Sequence, residues 1–468
     1  MKRTKIVATV GPVSKNYEML KKMGEAGVNI FRLNFSHGNH EDHGKVIQNI
    51  KKLNKETGKN YAIMLDMKGP AIRTGDVKKP ITVKTGEKVI FTIEKKPYEE
   101  TKKFQVDYNN FIHDVRKGET ILIDNGLMAA KIQNIKGKDV ICKMIEGGVI
   151  GSRRHINLPG QHISMPSVTK KDWDDLEFGL SLGIDFAAIS FVRNAKEIYE
   201  IKAFLKKKKA NVSVIAKIET TEGVKNIDSI FEAVDGIMVA RGDLGVEVPF
   251  EHVPLIQWDI AQKAAIYKKP VIVATNVVES MIQNPMPTRA EVSDIFASTW
   301  QRNDAIMLSG ETAAGLYPIK SIEAIYRTAR ETERNYLSKN RPPRRVEITD
   351  DKSEFCKNAA DAVRDLPNMA CIMVITKSGF MANLMSSFRP AVPIFAFTED
   401  EAVQRKLQLL WGTYSFKIKL EKNPEHTIDH AIKKIRKEFP HLKRKNFVLI
   451  SDLLIEKKMT PVLQFRTI

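Results

Sequence analysis

The sequence predicts an α/β protein: a (β/α)8 TIM barrel with an inserted small β-barrel lid domain and a C-terminal α/β domain. Three observations predict it. Short apolar runs separated by helical stretches occur three times before residue 70 and five times after residue 170, and eight parallel strands alternating with helices close into a barrel. Between residues 81 and 156 the apolar period drops to two, with turn punctuation, as antiparallel strands require. Beyond a charged, proline-containing linker at 338–347 (SKNRPPRRVE), strands and helices alternate again as a separate series. The expected domains are residues 1–69 with 169–337 for the barrel, 70–168 for the lid and 345–468 for the C-terminal domain.

In chain order, residues 5–10 (KIVATV) form the first strand, ended by Gly11 and Pro12, and residues 17–24 form a helix closed by Gly24. The second strand is 28–33 (VNIFRL), followed by a helix over 43–57 that breaks at Gly58. The third is 61–65 (YAIML), with Asp66 at its end. In the insert, TVKTGEKVIFTI, GETILIDNGLMAAKI and KGKDVICKMI read as strands, and Asn125-Gly126 signals a hairpin because both residues tolerate positive φ. The barrel resumes at 185–190 (DFAAIS), 212–217 (VSVIAK), 236–240 (GIMVA), 270–275 (PVIVAT) and 305–309 (AIMLS), with helices at 195–205 and 255–267 among the connections. In the C-terminal domain, helices are expected at 355–365, 380–387, 401–410 and 427–439, and strands at 371–376, 392–397, 447–450 and 462–465. Its TKSG turn, 376–379, suits either a phosphate cradle on backbone N–H groups or an ordinary strand-to-helix turn.

Composition narrows the class. With 468 residues, 43% hydrophobic and 28% charged, the chain reads as a soluble globular protein with more than one core. No apolar run approaches the about 20 residues of a spanning helix, and MKRTKIVATVGP reads as a first strand, not a signal peptide. Cys142, Cys356 and Cys371 lie far apart, without metal-ligand spacing or a disulfide framework, so a cytoplasmic location is expected. A net charge of +19 admits nucleic acid, an anionic membrane or anionic metabolites. The densest lysine run, 206–209, closes a helix, where it suits the helix dipole, and no aromatic residues interleave with the basic ones. Neither nucleic acid nor membrane is therefore an expected partner.

The functional groups crowd where strands end. Arg32, Asn34 and Ser36 follow the second strand, Asp66 the third, Lys217 and Glu219 the fifth, Arg241 and Asp243 the sixth, Thr275 the seventh, and Ser309 and Glu311 the eighth. Parallel barrels gather such ends on one rim. A lysine beside two carboxylates there suggests a divalent cation next to a fixed positive charge, which suits phosphate chemistry. Each residue also has a plainer reading. Arg32 could form a rim ion pair with Asp66, Thr275 could be an ordinary strand residue, and Glu279 with residues 289–291 reads as scaffold salt bridges and caps.

The segments TKIVATVGP, FRLNFSHG, LDMKGPAIRTG, VIAKIET, MVARGDLGVEVP, ESMIQNPMPTRAEVSD and MLSGETA resemble those of the pyruvate kinase family, in its order and spacing, from residue 4 to residue 313. The resemblance implies transfer of the phosphoryl group of phosphoenolpyruvate to ADP, giving pyruvate and ATP, the last step of glycolysis. It implies a homotetramer, an allosteric enzyme, Mg2+ or Mn2+ on Glu219 and Asp243, and K+ on Asn34, Ser36, Asp66 and the Met67 carbonyl. Lys217 and Arg32 would hold the phosphoryl group, and backbone groups of Arg241, Gly242 and Asp243 the substrate carboxylate. Thr275 would sit where the enolate is protonated, with Ser309 and Glu311 in the proton relay. Asn34, His37, Arg73 and Lys171 would meet the nucleotide. The sequence departs from the family at Met67, where a polar residue is usual, and at Ala71, where an acidic side chain accompanies potassium dependence and a basic one replaces the ion. TWQRNDAIMLSGETA replaces the usual approach to the eighth strand, and the C-terminal stretch SDLLIEKKMTPVLQFRTI lacks the Gly-rich loop that grips fructose bisphosphate in some members. Two rival functions are a magnesium-dependent oxo-acid lyase, marked by turnover without ADP, and a nucleic-acid-binding homologue, marked by salt-sensitive RNA binding without turnover.

Overall fold

The computed structural model of the chain describes residues 1–95, 102–161, 163–338, 344–455 and 458–468. Part of the expected linker (339–343), residues 96–101 and 162 of the insert, and residues 456–457 of the C-terminal stretch lie outside the described residues. Eight parallel strands close into a barrel in chain order: Lys5–Val10, Ile30–Asn34, Ala62–Asp66, Phe186–Ile189, Ser213–Ile218, Gly236–Ala240, Val271–Ala274 and Ala305–Leu308. The last pairs with the first, Lys5 opposite Ala305. The middles of these strands are mostly apolar because both faces are covered, inside by a packed layer (Val7, Met64, Ile215, Met238, Met307) and outside by helices.

Local chemistry explains where the boundaries differ from expectation. The first helix runs Tyr17–Ala26 and is closed by Gly27 at φ 120°, not by Gly24. Gly24 is an interior glycine, because a Cβ there would lie 2.5 Å from the Tyr61 ring. The second helix starts at His40, three residues early, because Asn39 caps it by accepting from the Asp42 N–H. The second and third strands extend to Asn34 and Asp66, which sit opposite each other in register.

The insert is a seven-strand sheet with a separate strand pair. Its end strands, Ile72–Arg73 and Lys103–Gln105, are tied by the Thr74–Val106 bridge and by Gly75 N donating to Gln105 O at 2.8 Å, which closes the sheet around its own core. The hairpin around Asn125-Gly126 is present; Asp124, Asn125 and Gly126 all have positive φ, between Ile123 and its partner Met128.

The C-terminal domain carries five strands, one more than expected: Thr413–Lys417 adds to the edge beside Ile394–Thr398. The final strands, Asn446–Ile455 and Lys458–Thr467, form a long antiparallel pair. This domain seals the barrel floor. Leu409 joins the barrel's inner layer. Asp304, at the foot of the eighth strand, accepts from Arg389 Nη2 at 2.6 Å and from the Trp411 N–H at 3.0 Å, and Asp185, at the foot of the fourth, from Arg405 Nε at 2.8 Å.

Candidate active site

The opposite rim holds a chain of four buried charges. Arg32 Nε donates to Asp66 Oδ2 at 2.6 Å; Asp66 Oδ1 lies 3.1 Å from Lys217 Nζ; Lys217 Nζ lies 2.9 Å from Glu219 Oε1. Glu219 has no exposed surface and Asp66 almost none. Burial raises the Asp66 carboxyl, but Arg32 and Lys217 outweigh it and hold the group below its ordinary value. Burial likewise lowers Lys217, yet Asp66 and Glu219 outweigh it, so the ammonium keeps its proton. Burial pushes Glu219 up to about 7, against the pull of Lys217 and with help from the charge of Asp243. Asp243 stands in the first turn of the helix Arg241–Glu247, just after the sixth strand.

Two hydroxyls complete this cluster, and neither stood out in the sequence. Thr9 Oγ1 accepts from Arg32 Nη1 at 2.8 Å and donates to Leu308 O at 2.7 Å. Ser190 Oγ accepts from Lys217 Nζ at 2.7 Å and donates to the Met67 carbonyl at 2.7 Å. The available signal was position: Ser190 directly follows the fourth strand and Thr9 is the penultimate residue of the first.

Thr275 and Asn276 follow the seventh strand in the left-handed region, at φ 66° and 52°. For a β-branched residue this conformation costs on the order of 1–3 kcal/mol. The neighbourhood enforces it. Arg241 Nη2 donates to the Thr275 carbonyl at 2.8 Å and to the Asn276 carbonyl at 3.1 Å, while its Nη1 pairs with Asp294 at 2.7 Å. Gly242 N donates to Thr275 Oγ1 at 2.7 Å, and that hydroxyl donates to Ala274 O at 2.6 Å. The Arg241 side chain is thus a brace for this loop. Glu311 is also a brace: it accepts from the Val278 N–H at 3.2 Å and the Ser309 N–H at 2.7 Å, joining the ends of the seventh and eighth strands. The Ser309 hydroxyl is buried and has no hydrogen-bond partner among the described residues.

The remaining predicted residues lie outside this cluster. Asn34 Oδ1 accepts from the Ser36 N–H at 3.1 Å, and His37 is exposed. Lys171 Nζ reaches the Phe35 carbonyl at 3.0 Å. Arg73, on the lid, spends its guanidinium on the Arg153 carbonyl and on His155. Glu291 forms a capping box with Thr288 and bonds Ser280, a structural role.

The rim thus offers two fixed cations, three carboxylates and several hydroxyls at the mouth of a barrel beneath a lid, an arrangement that can hold and neutralise a multiply charged anion. Comparison with known proteins agrees. Residues 1–322 match the family model "Pyruvate kinase, barrel domain" and residues 353–461 match "Pyruvate kinase, alpha/beta domain". The chain is 42% identical over 435 residues to pyruvate kinase isozyme G, chloroplastic, of Nicotiana tabacum, covering 92% of this chain and 77% of that one. It is 41% identical over 440 residues to a pyruvate kinase of Geobacillus stearothermophilus, covering 92% and 74%. A crystal structure of a pyruvate kinase from Cryptosporidium parvum superposes with a TM-score of 0.91 at 32% identity, covering 98% of this chain and 96% of that one.

Proposed function

The chain belongs to the pyruvate kinase family, and from that premise we infer how its own residues divide the work of the reaction. It is a phosphotransferase that converts phosphoenolpyruvate and ADP into pyruvate and ATP in glycolysis. The observation that carries the assignment of roles is the linked set Arg32–Asp66–Lys217–Glu219. Phosphoryl transfer needs little covalent help from the protein; it needs in-line positioning and relief of the charge on the moving group. Arg32 and Lys217 supply that relief. Asp66, shared between them, and the hydroxyls of Thr9 and Ser190 fix where their donors point.

Glu219 and Asp243 fit a divalent cation of the magnesium type. Among the described residues no group of three or more candidate ligands gathers. Mg2+ requires no more than one or two carboxylates when substrate oxygens complete its shell. Among the described residues Glu219 Oε1 has no partner but the ammonium of Lys217, 2.9 Å away, while Oε2 accepts from the Phe191 N–H at 2.7 Å. Bound there, the ion neutralises oxygen charge on the reacting groups.

A K+ site at the second and third strand ends would draw on Asn34 and Asp66, opposite each other in register, and on Ser36 and the Met67 carbonyl next to them in sequence. Asp66 also serves Arg32 and Lys217, so the cation would share an anion already in use. Thr275 keeps a hydroxyl proton near the helix start where Arg241, Gly242 and Asp243 would receive the substrate carboxylate; the Gly242 N–H already bonds Thr275. Ser309 and Glu311 serve the proton path behind it. Lys171, bonded to the loop after Asn34, supports a nucleotide position on that side with His37, and Arg73 would approach it as the lid closes.

A homotetramer is supported by the apolar faces of two adjacent helices, with Leu255 63% and Trp258 46% exposed on one and Phe296 44% exposed on the other. Three buried free thiols suit the reducing cytoplasm. None of the described helices is long and apolar enough to cross a membrane. An allosteric effector would have to engage a C-terminal domain without the usual Gly-rich loop.

The test is a coupled assay of pyruvate formation by the whole chain, omitting ADP, Mg2+ and KCl in turn. Loss of turnover on each omission is expected. Turnover without ADP would overturn the assignment of roles in favour of a lyase, and full activity without potassium would remove the monovalent site.

A further inference from the structure

A cavity of about 280 Å³ lies at the junction of lid and barrel; Arg32, Lys217 and Glu219 do not line it, although its wall residue Phe191 donates its N–H to Glu219 Oε2 at 2.7 Å. It is bounded by both hinge segments of the lid, by Phe191 after the fourth strand and by the loop after the fifth. Its walls are mostly apolar: Ile72, Ile156, Met165 and Phe191 contribute. Polar atoms face it without partners. Both side-chain amide atoms of Gln161 and Oδ1 of Asn157 are buried and make no hydrogen bond among the described residues. Leaving a buried donor and acceptor unmade is unfavourable, so such groups mark places where something else completes them.

Two charged residues of the wall, Arg193 and Glu247, are already engaged. Arg193 donates to the Ile163 carbonyl, to the Met165 carbonyl and Ser167 Oγ at 2.9 Å each, and to Glu197 at 3.0 Å. Glu247 accepts from the Gly160 backbone and the Asn157 side chain. Beside them the Gln161 carboxamide stays open, offering a donor and an acceptor side by side against the apolar part of the wall. Its complement is a cis-amide edge on an apolar body.

We propose that this cavity binds a small neutral molecule carrying a lactam-type edge, paired with the Gln161 carboxamide, and that its occupant fixes the lid against the barrel. Both hinge segments line the cavity, so a ligand filling it restrains the lid without touching Arg32, Lys217 or Glu219. The expected inhibition is therefore on turnover and not on phosphoenolpyruvate binding.

The test uses the whole chain and isoquinolin-1(2H)-one, a bicyclic lactam, as probe. Binding is followed by ligand-observed NMR and by steady-state kinetics. Saturable binding is expected, with kcat lowered and the KM for phosphoenolpyruvate unchanged. Gln161→Leu should weaken binding at least tenfold. The N-methylated probe, which lacks the donor and needs no altered protein, should bind at least tenfold more weakly to the native chain. Four results would each overturn the proposal: no saturable binding, competition with phosphoenolpyruvate, equal binding of the methylated probe, or binding that leaves kcat unchanged.

Discussion

The two ends of the barrel bury charge in opposite ways. At the floor, each carboxylate is saturated: Asp304 accepts from Arg389, from the Trp411 N–H and from the Val271 N–H, and Asp185 from Arg405 and from the Ile63 N–H. At the rim, Asp66 is shared between two cations, and among the described residues Glu219 Oε1 meets only the ammonium of Lys217. Saturation suits a joint between domains, since a complete set of partners leaves nothing to bind. Incomplete satisfaction suits a site, because a substrate or cation can finish it. Burial alone does not separate structure from function; the state of the partners does.

The sharpest way to break the comparison is at the floor. Asp304→Ala strands Arg389 in a position 2% exposed. It should destabilise the fold by about 3–5 kcal/mol, read from denaturant unfolding, while turnover per folded molecule stays at the native value. A large loss of turnover in the folded fraction would erase the distinction between the two ends.

A smaller effect is expected from Lys2, whose ammonium is buried at the floor without a hydrogen-bond partner among the described residues. Burial pushes it down to about 7, with Glu333 opposing and Lys5 reinforcing. Because the folded value is depressed, the unfolded chain binds the extra proton between about 7 and the ordinary lysine range, so this residue makes stability rise with pH across that window. Lys2→Met should flatten the rise, by about 1–2 kcal/mol between pH 7 and 9. Parallel stability curves for the two proteins would contradict it.

The smallest effect concerns backbone strain at the rim. Thr275→Gly accepts φ 66° without a side-chain clash and should gain up to about 1 kcal/mol in stability while slowing turnover. A variant that is both less stable and fully active would show that the strain has no part in the site.

Much of this was legible in the sequence, for identifiable reasons. Uniformly apolar runs such as GIMVA can only be two-sided buried strands in this context, and the sixth strand spans those five residues as expected. Lys217 and Glu219 were readable because charges beside such runs are conspicuous. Ser190 and Thr9 were not, since a hydroxyl at a strand end looks like ordinary punctuation until its partners are known. The edge strand Thr413–Lys417 escaped because half of it faces outward and TYSFK carries no clear period. The roles of Arg241 and Glu311 as braces depend on loops meeting in space, which local pattern does not encode. Gly24 misled because a glycine near a helix end suggests a cap, whereas this one makes room for Tyr61.

The turnover number of the Lys217→Met protein, normalised to its folded fraction, tests the central claim most directly. A fall of about 10³-fold or more per folded molecule is expected, because the methionine fills similar space but removes the charge that the moving phosphoryl group requires. Turnover within twofold of the native protein would contradict it.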